Sequence, residues 1–513
     1  MTSPRPLPHA YAIAEKSPWL LTAIMLHAVG IAIASIVYYA HDTAVDDYVP
    51  TQIAIRDQTQ EPELLQPPKI EDHFDVPKLQ DKDLLQNDVL ELEPDAVDDA
   101  GDEGDPTDAS STSDMVGLPS GDTGGTAIGA GPGWFGKVPS VRPGRGGNGK
   151  YSKRFRTKKG TPGSGGDTDG PLRRALVWLR RHQDEDGRWD CANFMKHDRD
   201  GEPCSGPGNG VNDVGVTGLA LLAFLGDGNT MKIGPHRDVV RKGVAWLVAQ
   251  QQENGLFGTQ SSQAFAYGHA IATVAVCEAY GLSQHRPLQK PAQAALNYIA
   301  NARNPYGVWR YQPRENDGDT SITGWMVQAL LSGKAFELKV DDAALKNAAV
   351  FLDSVTDPDT GTAGYTKAGE GSSRNASMLE RFPAAKTESL TAVGLLCRYL
   401  LGQEPKQNPV MAKAAQTILA KPPAWNPNDG SIDMYYWYYA SYALFQHGGK
   451  EWDQWSRKLT DAVVKTQRNG GNCDGSWDPL DAWSEDGGRV YSTAMMALCL
   501  QAYYRYDRVS FAH

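Results

Sequence analysis

Two kinds of helical pattern alternate along the chain between residues 170 and 508. In the first kind, apolar residues occupy one face and charged residues the other, as in residues 172–181. In the second kind, apolar residues lie on every side, as in residues 214–225 and 390–401. A helix that is apolar all round is expected to be buried on both sides. The alternation therefore predicts hairpins that each pair an outer helix with an inner helix.

The hairpins are copies of one repeat, because the same landmark residues return at the same offsets. After each clear outer helix come a polar residue, a glycine and an aromatic residue. These landmarks are Gln183, Gly187 and Trp189; Gln251, Gly255 and Phe257; Arg303, Gly307 and Trp309; and, with an insertion, Gln467, Gly475 and Trp477. The inner helices align on Thr217, Thr273, Thr323, Thr391, Trp437 and Thr493. These six alignment residues, which we call anchor residues, recur roughly every fifty residues. This spacing predicts a repeat architecture of six helical hairpins.

The recurring motif Gln-x3-Gly-x-Trp resembles the QW repeat of squalene-hopene cyclases and the related toroids of protein prenyltransferase β subunits. The resemblance implies an all-α fold, an (α/α)6 toroid of six helical hairpins over residues 166–508. It is specific for the architecture, whereas a shared fold does not determine the chemistry.

Residues 18–40 form a nearly continuous apolar run that is long enough to cross a bilayer as one helix. Basic residues precede the run and acidic residues follow it, and positive charge stays on the cytoplasmic side of a membrane. We therefore expect residues 1–17 to be a cytoplasmic tail, the run to be a single-pass anchor in the cell inner membrane, and the toroid to lie on the periplasmic side. A cleavable signal peptide is the alternative, but the run is too long for that class.

His27 lies within this apolar run, where an ionisable side chain is a functional hypothesis by default. Residues 17–27 and the acidic segment that follows the run resemble the anchor of TonB-type energy transducers, which implies an inner-membrane partner at His27. The structural alternative is a neutral His27 that faces another helix or reaches toward water.

Residues 41–165 have the composition of a disordered linker, which is first acidic and then rich in glycine. Residues 137–159 carry nine Lys or Arg residues and no acid, although the whole chain has a net charge of −12. This basic segment is either a solvated tether or a region attracted to an anionic envelope polymer or to the acidic residues upstream. Export also argues against nucleic acid as a partner.

Two cysteines, Cys191 and Cys204, bracket a polar loop and are predicted to form a disulfide in an oxidising compartment. Three others, at 277, 397 and 499, fall inside predicted helices and fit a buried apolar role. A metal site built from the loop cysteines with His197 and Asp198 matches no familiar zinc spacing. We expect neither a metal nor another cofactor.

Six residues lie four positions before the anchor residues of the inner helices: Asp213, His269, Asp319, Thr387, Asp433 and Arg489. Their structural interpretation is that most of them are N-caps of the inner helices. Six helix amino ends gathered at one mouth also make that mouth the default ligand site. The aromatic run at 435–439 cannot all face one way, so part of it should line the cavity. We expect ligand contacts from His269, Asp319, Asp433, Tyr435, Tyr438, Arg489 and Tyr491.

Catalytic candidates follow from the resemblance to cyclases. That family protonates its substrate with the central acid of Asp-x-Asp-Asp-Thr, and this chain has Gly318 at the central position of residues 316–320. Asp317 and Asp319 are the remaining acids, and we expect Asp319 to be an ionised N-cap with a lowered pKa. Prenyltransferase β subunits hold zinc with Asp, Cys and His, a trio that cannot be placed on the inner helices.

Three functions remain open at this point. The leading hypothesis is a membrane-anchored toroid that binds an envelope polymer or protein at its mouth and has no cyclase activity. A terpenoid cyclase-like enzyme is one alternative, against which export argues. The other is a carbohydrate-active lyase or hydrolase that would use Glu388, Asp433, Tyr435 and Arg489.

Overall fold

A computed structural model describes residues 168–506, except 263, 372, 373 and 375–377. Within this range the chain forms twelve α-helices and no sheet. Their bounds are α1 Asp169–Arg181, α2 Asp213–Gly226, α3 Arg237–Ala249, α4 Phe265–Ser283, α5 Gln289–Asn301, α6 Thr320–Ala335, α7 Asp342–Ser354, α8 Ser389–Leu400, α9 Val410–Leu419, α10 Met434–His447, α11 Gly449–Val464 and α12 Ser484–Arg505. Short 3-10 turns lie at Phe194–His197, Gly210–Asn212, Arg286–Leu288 and Ala384–Lys386.

The even-numbered helices form a closed inner ring and the odd-numbered helices lie outside it. Each inner helix packs against the next, and α12 returns to pack against α2. Nearly every residue of the inner helices is buried, whereas α1 buries one apolar face and exposes Arg173 and Arg180. The predicted all-α toroid of six hairpins is confirmed.

The repeat landmarks connect neighbouring hairpins. The Gln183 side-chain amide donates to the carbonyl of Gly187 in its own turn, at 2.8 Å, and to that of Val239 at the start of the next outer helix, at 3.0 Å. Gln251 makes the same pair of bonds in the following repeat, to Gly255 and Pro291. The landmark glutamine therefore connects neighbouring outer helices.

The glycine and tryptophan of each landmark are explained by close packing. Gly187 has a φ of +100°, and a Cβ on it would lie 2.2 Å from the carbonyl oxygen of Lys242. Only glycine combines this backbone conformation with such close contact. The Trp189 indole donates to the carbonyl of Leu179 at 2.7 Å, and its backbone N–H donates to the hydroxyl of the anchor Thr217 at 3.0 Å. Through these two bonds, Trp189 connects the outer helix α1 to the inner helix α2 of the same hairpin.

The first and last hairpins meet at a seam that includes a disulfide. Cys204 is bonded to Cys473, so the predicted Cys191–Cys204 disulfide is wrong. Cys191 is a buried free thiol whose Sγ lies 3.1 Å from the carbonyl oxygen of Asn209. Its predicted partner instead reaches an insertion of the last repeat, because closing the ring makes distant segments neighbours.

The predicted membrane anchor, His27, the linker and its basic segment lie outside the described residues. Among the helices of the described part, none is both long and apolar enough to cross a membrane. The predicted limits of the toroid, 166 and 508, remain predictions.

Candidate functional site

A cavity of about 450 Å³ opens where the amino ends of α2, α4, α6, α10 and α12 converge. Its volume falls within the range of roughly 300–1,000 Å³ that is typical of small-molecule pockets. Aromatic side chains from five helices and the adjoining loops line it: Trp246, Phe257, Phe265, Tyr267, Tyr311, Trp325, Tyr435, Trp483 and Tyr491. Of the expected ligand contacts, Tyr435 and Tyr491 lie on this cavity.

Hydrogen bonds hold the aromatic wall in place. The Ser321 hydroxyl lies 2.9 Å from the Tyr267 hydroxyl and 2.8 Å from the Tyr435 hydroxyl, which joins α4, α6 and α10. The Tyr491 hydroxyl donates to Asp481 Oδ2 at 3.2 Å. Burial raises the pKa of these phenols well above the usual value, so they are protonated donors. Because their hydroxyls bond to the protein, the wall is pre-organised.

Polar groups also line the cavity, and we call this set the polar rim. It comprises Arg188, Asp213, Gln250, Thr259, Ser261 and Asp486. Asp213 Oδ1 accepts from the backbone N–H of Cys191 at 3.0 Å, and Oδ2 lies 3.4 Å from Arg188 Nη1. Burial raises the pKa of Asp213 to about 6, although these two neighbours favour its charged form.

Asp213 was expected only to cap its helix, and the structure gives it a different place. It is the first helical residue of α2, preceded by Asn212, and its carboxyl bonds to the 188–191 segment. Its alignment with Asp319 and Asp433 suggested a cap in each repeat. Only the fold of the preceding loop turns this carboxyl toward Arg188 and the cavity.

Asp319 caps α6 as predicted, but its pKa differs from the expectation. Its Oδ1 accepts from the backbone N–H groups of Ser321, at 2.6 Å, and Ile322, at 2.9 Å. The residue is fully buried, and burial raises its pKa to about 6 against the lowering effect of these bonds and of Tyr365. The predicted lowered pKa is therefore wrong, because desolvation outweighs capping. Asp319 does not line the cavity.

The remaining acids of the broken cyclase motif are also off the cavity. Asp317 forms an ion pair with Arg310 and is about half exposed. A Cβ on Gly318 would lie 2.7 Å from the Phe351 ring and 2.8 Å from Val308 Cγ2. The space beside Gly318 is thus filled by neighbouring apolar side chains.

Two predicted ligand contacts on the inner helices serve the fold instead. His269 accepts at Nδ1 from the Phe257 backbone N–H at 3.0 Å, and burial lowers its pKa to about 3, so it is neutral. Tyr438 donates to Gln328 at 3.0 Å and stacks on Trp325. Neither residue lines the cavity.

Two further charged ligand candidates are buried in ion pairs. Asp433 caps α10 and binds Arg374 at 2.6 Å, with both side chains essentially buried. Arg489 binds Asp478 at 2.8 Å and donates to the Ser205 carbonyl at 2.7 Å. Neither lines the cavity.

The constellation predicted for carbohydrate chemistry is not assembled. Glu388 binds Lys421 at 2.6 Å away from the cavity, and among the four proposed residues only Tyr435 lies on it. Over the described ranges, no three or more His, Cys, Asp or Glu residues are grouped so as to hold a metal ion.

No family model and no curated protein matches this chain. Similar solved structures include a type II terpene cyclase from Scytonema in complex with geranylgeranyl dihydroxybenzoate, at 13% identity and a TM-score of 0.43, covering 65% of this chain and 96% of that one. An inactive variant of an α-1,6-mannanase from Salegentibacter sp. HEL1_6, with α-1,6-mannotriose bound, has 11% identity and a TM-score of 0.46, covering 66% and 99%. Cellobiose 2-epimerase from Bacillus thermoamylovorans B4167 has 12% identity and a TM-score of 0.45, covering 65% and 98%. At such identities nothing about ligand or chemistry carries over to this chain.

Proposed function

We propose that this protein is a saccharide-binding toroid whose ligand occupies the cavity at its mouth. The observation that carries the proposal is that aromatic rings and polar groups together line one cavity of about 450 Å³. A sugar ring presents C–H groups on its faces and hydroxyls at its edge. Aromatic rings match the faces, and carboxylate, amide and hydroxyl groups match the edge.

A polyprenyl ligand fits the cavity less well. A hydrocarbon would desolvate the polar rim without replacing its hydrogen bonds with water, and a buried polar group left unpaired costs about 1–3 kcal/mol. Cyclisation would also need a proton donor, and Asp319 and Asp317 both lie off the cavity lining. We therefore keep binding without cyclase activity as the proposed function.

The proposal includes an exported, membrane-tethered toroid whose ligand is an envelope glycan. The sequence argument rests on the apolar run at 18–40 and the linker that follows it. The Cys204–Cys473 disulfide supports the same location, since disulfides form and persist mainly in oxidising compartments. A partner at His27 within the inner membrane remains part of this proposal.

Binding can be tested with the purified full-length protein and a panel of neutral, amino and acidic oligosaccharides. Trp483, which is half-buried on the cavity, is the test position, and Trp425, which is also half-buried but lies off the cavity, is the matched control. We expect Trp483→Ala to weaken saccharide binding by at least about tenfold, whereas Trp425→Ala leaves affinity unchanged. Failure of every saccharide class to bind would refute the proposal. Release of reducing ends during the assay would show that the protein is instead an enzyme.

Location is tested by adding protease to spheroplasts. We expect the toroid to be removed and a small amino-terminal stub to be protected. A protected toroid would contradict export and would restore the cyclase alternative.

A further inference from the structure

We propose that the ligand carries a cationic amino group, which binds at the mouth of the cavity beside Asp213 and Asp486. For the saccharide part of the ligand this rests on the proposed function. The preference for positive charge rests on the polar rim itself. An aminosugar is the simplest ligand that combines both features.

The first support is that negative charge at the polar rim is poorly compensated. Arg188 is the one basic residue of the cavity lining. Its guanidinium is shared among four carboxylates: Asp184 at 3.1 Å, Asp213 at 3.4 Å, and Asp186 and Asp190 at 3.6 Å each. Lys196 binds Asp184 and Asp190, and His197 lies 2.7 Å from Asp184, so these two acids have partners besides Arg188. Asp213 has no cationic partner of its own, because it shares Arg188 with the other three carboxylates.

The neighbouring basic side chains do not supply a separate cation for Asp213. Lys196 binds Asp184 at 2.6 Å and Asp190 at 3.2 Å, and it does not line the cavity. Asp486, whose backbone carbonyl accepts from the side-chain amide of Asn212 at 3.0 Å, has a like-charged neighbour in Glu485, whose own partner is the exposed Arg381 at 3.6 Å. Asp486 is exposed, but partial desolvation of its carboxyl and then Glu485 still raise its pKa. Both rim carboxylates therefore lie in surroundings that a ligand cation would relieve.

The aromatic wall supplies the second, independent support. The face of an aromatic ring is electronegative and attracts a cation within about 6 Å of its centroid. Trp246, Trp483 and Tyr311 are half-buried where the wall reaches the mouth. The molecule already uses this attraction, because the Arg310 guanidinium carbon lies 5.9 Å from the centroid of the Tyr311 ring. An ammonium at the mouth would meet rings as well as carboxylates.

Charge preference can be measured without knowing the glycan, by using three fragments of similar shape. These are benzylamine, benzyl alcohol and benzoate, titrated into the full-length protein by ligand-observed NMR at pH 7.5. We expect benzylamine to bind about fivefold more tightly than benzyl alcohol and benzoate not to bind measurably. The benzylamine affinity should fall as salt is added, whereas the benzyl alcohol affinity should not.

Asp213→Asn is the informative variant, because asparagine keeps Oδ1 as the acceptor for the Cys191 N–H and removes only the charge. We expect it to lose most of the benzylamine preference, and the double variant with Asp486→Asn to lose all of it. Glu485→Gln is the matched control, since it removes the same charge in the same turn from a residue that does not line the cavity. Its preference should fall much less than that of Asp213→Asn, because it leaves both rim carboxylates in place and changes only a neighbour of Asp486.

Two results would overturn the inference. One is equal affinity for benzylamine and benzyl alcohol. The other is an equal loss of preference in Glu485→Gln and Asp213→Asn, which would indicate only the net charge of the protein. Binding of neutral and amino oligosaccharides with equal affinity would also contradict it, while leaving the saccharide proposal intact. If benzylamine were preferred but no saccharide bound, the charge inference would stand and the saccharide proposal would fail.

Discussion

The two ends of the inner ring use buried charge in opposite ways. At the amino-terminal mouth, the Arg188 guanidinium is shared among four carboxylates, of which Asp213 lines the open cavity. At the carboxyl-terminal end, Arg505 binds Glu278 at 2.7 Å, with both side chains essentially inaccessible. Its guanidinium also donates to the carbonyl of Leu222, and the Gln501 amide donates to that of Ala223. Polar groups at this end bond to one another and leave little for a ligand.

The contrast indicates which end stabilises the ring and which end binds. The inner helices expose their last carbonyls at the carboxyl end, and a basic side chain placed there satisfies those acceptors and favours the negative end of each helix dipole. At the mouth, Asp213 and Asp486 have raised pKa values. Neither has a fully buried ion pair like that of Glu278 with Arg505. Stability should therefore respond most to changes at the far end, and ligand affinity to changes at the mouth.

The largest effect should come from breaking the buried pair at the carboxyl end. Glu278→Ala or Arg505→Ala leaves one charge buried without its partner, which typically costs about 3–5 kcal/mol of unfolding free energy. Chemical denaturation of the full-length variants measures this change. The double variant should cost less than the sum of the single ones, because it leaves no orphaned charge.

The exposed pair Arg381–Glu485 is the control for that experiment, since its side chains are 64% and 78% accessible. Replacing either residue should leave the denaturation midpoint unchanged. If both pairs gave equally small effects, the carboxyl end would not be the part that holds the ring together.

The seam between the first and last hairpins should give the next largest effect. Cys204 and Cys473 are 269 residues apart in sequence, so their bond constrains a long loop of the unfolded chain. We expect the double variant Cys204→Ser/Cys473→Ser to lose about 2–4 kcal/mol of unfolding free energy. Cys191→Ser, which removes a buried free thiol near the same seam, is the comparison. Peptide mapping without reduction should recover the 204–473 pair and no pair that contains Cys191.

These features show how far sequence reasoning reaches in a repeat protein. Landmarks such as Gln183 and Thr217 recur at fixed offsets, so helix pairing and ring architecture were predictable. Contacts between the first and last repeats have no such signal, which is why Cys473 was missed as the partner of Cys204. Asp319 shows a second limit: its capping role follows from local sequence, whereas its raised pKa depends on burial by the surrounding helices.

Asp319 gives a prediction about pH that separates capping from burial. Its folded pKa of about 6 lies above the ordinary value of 3.8. Below about pH 4 the carboxyl is protonated in both folded and unfolded chains, so it affects stability little. As pH rises from about 4 to 6 the unfolded chain releases its proton first, so its contribution to stability falls by ~2–3 kcal/mol.

Asp319→Asn should remove this part of the pH dependence, because the amide keeps the Oδ1 acceptor and cannot ionise. Asp319→Ala also removes it but loses the cap, at a further cost of about 1 kcal/mol. Unfolding free energies of the three proteins between pH 4 and 8 provide the measurement. An unchanged pH slope in Asp319→Asn would mean that the folded pKa is not raised. Turnover of a polyprenyl substrate that disappears in Asp319→Asn would restore the cyclase alternative.

The smallest predicted effect distinguishes two neighbouring tyrosines on α10. The Tyr435 hydroxyl bonds to Ser321 on the cavity wall, whereas the Tyr436 hydroxyl donates to the carbonyls of Ile418 and Lys421 beside the outer helix α9. Each Tyr→Phe change removes one phenolic hydroxyl and should cost about 1 kcal/mol of unfolding free energy. Only Tyr435→Phe should also weaken binding of the saccharide identified by the panel, by about two- to threefold, because it frees a ring of the wall to move. Calorimetric titration of both variants measures the difference. Equal affinities would show that the hydrogen-bonded wall stabilises the fold without preparing the cavity for its ligand.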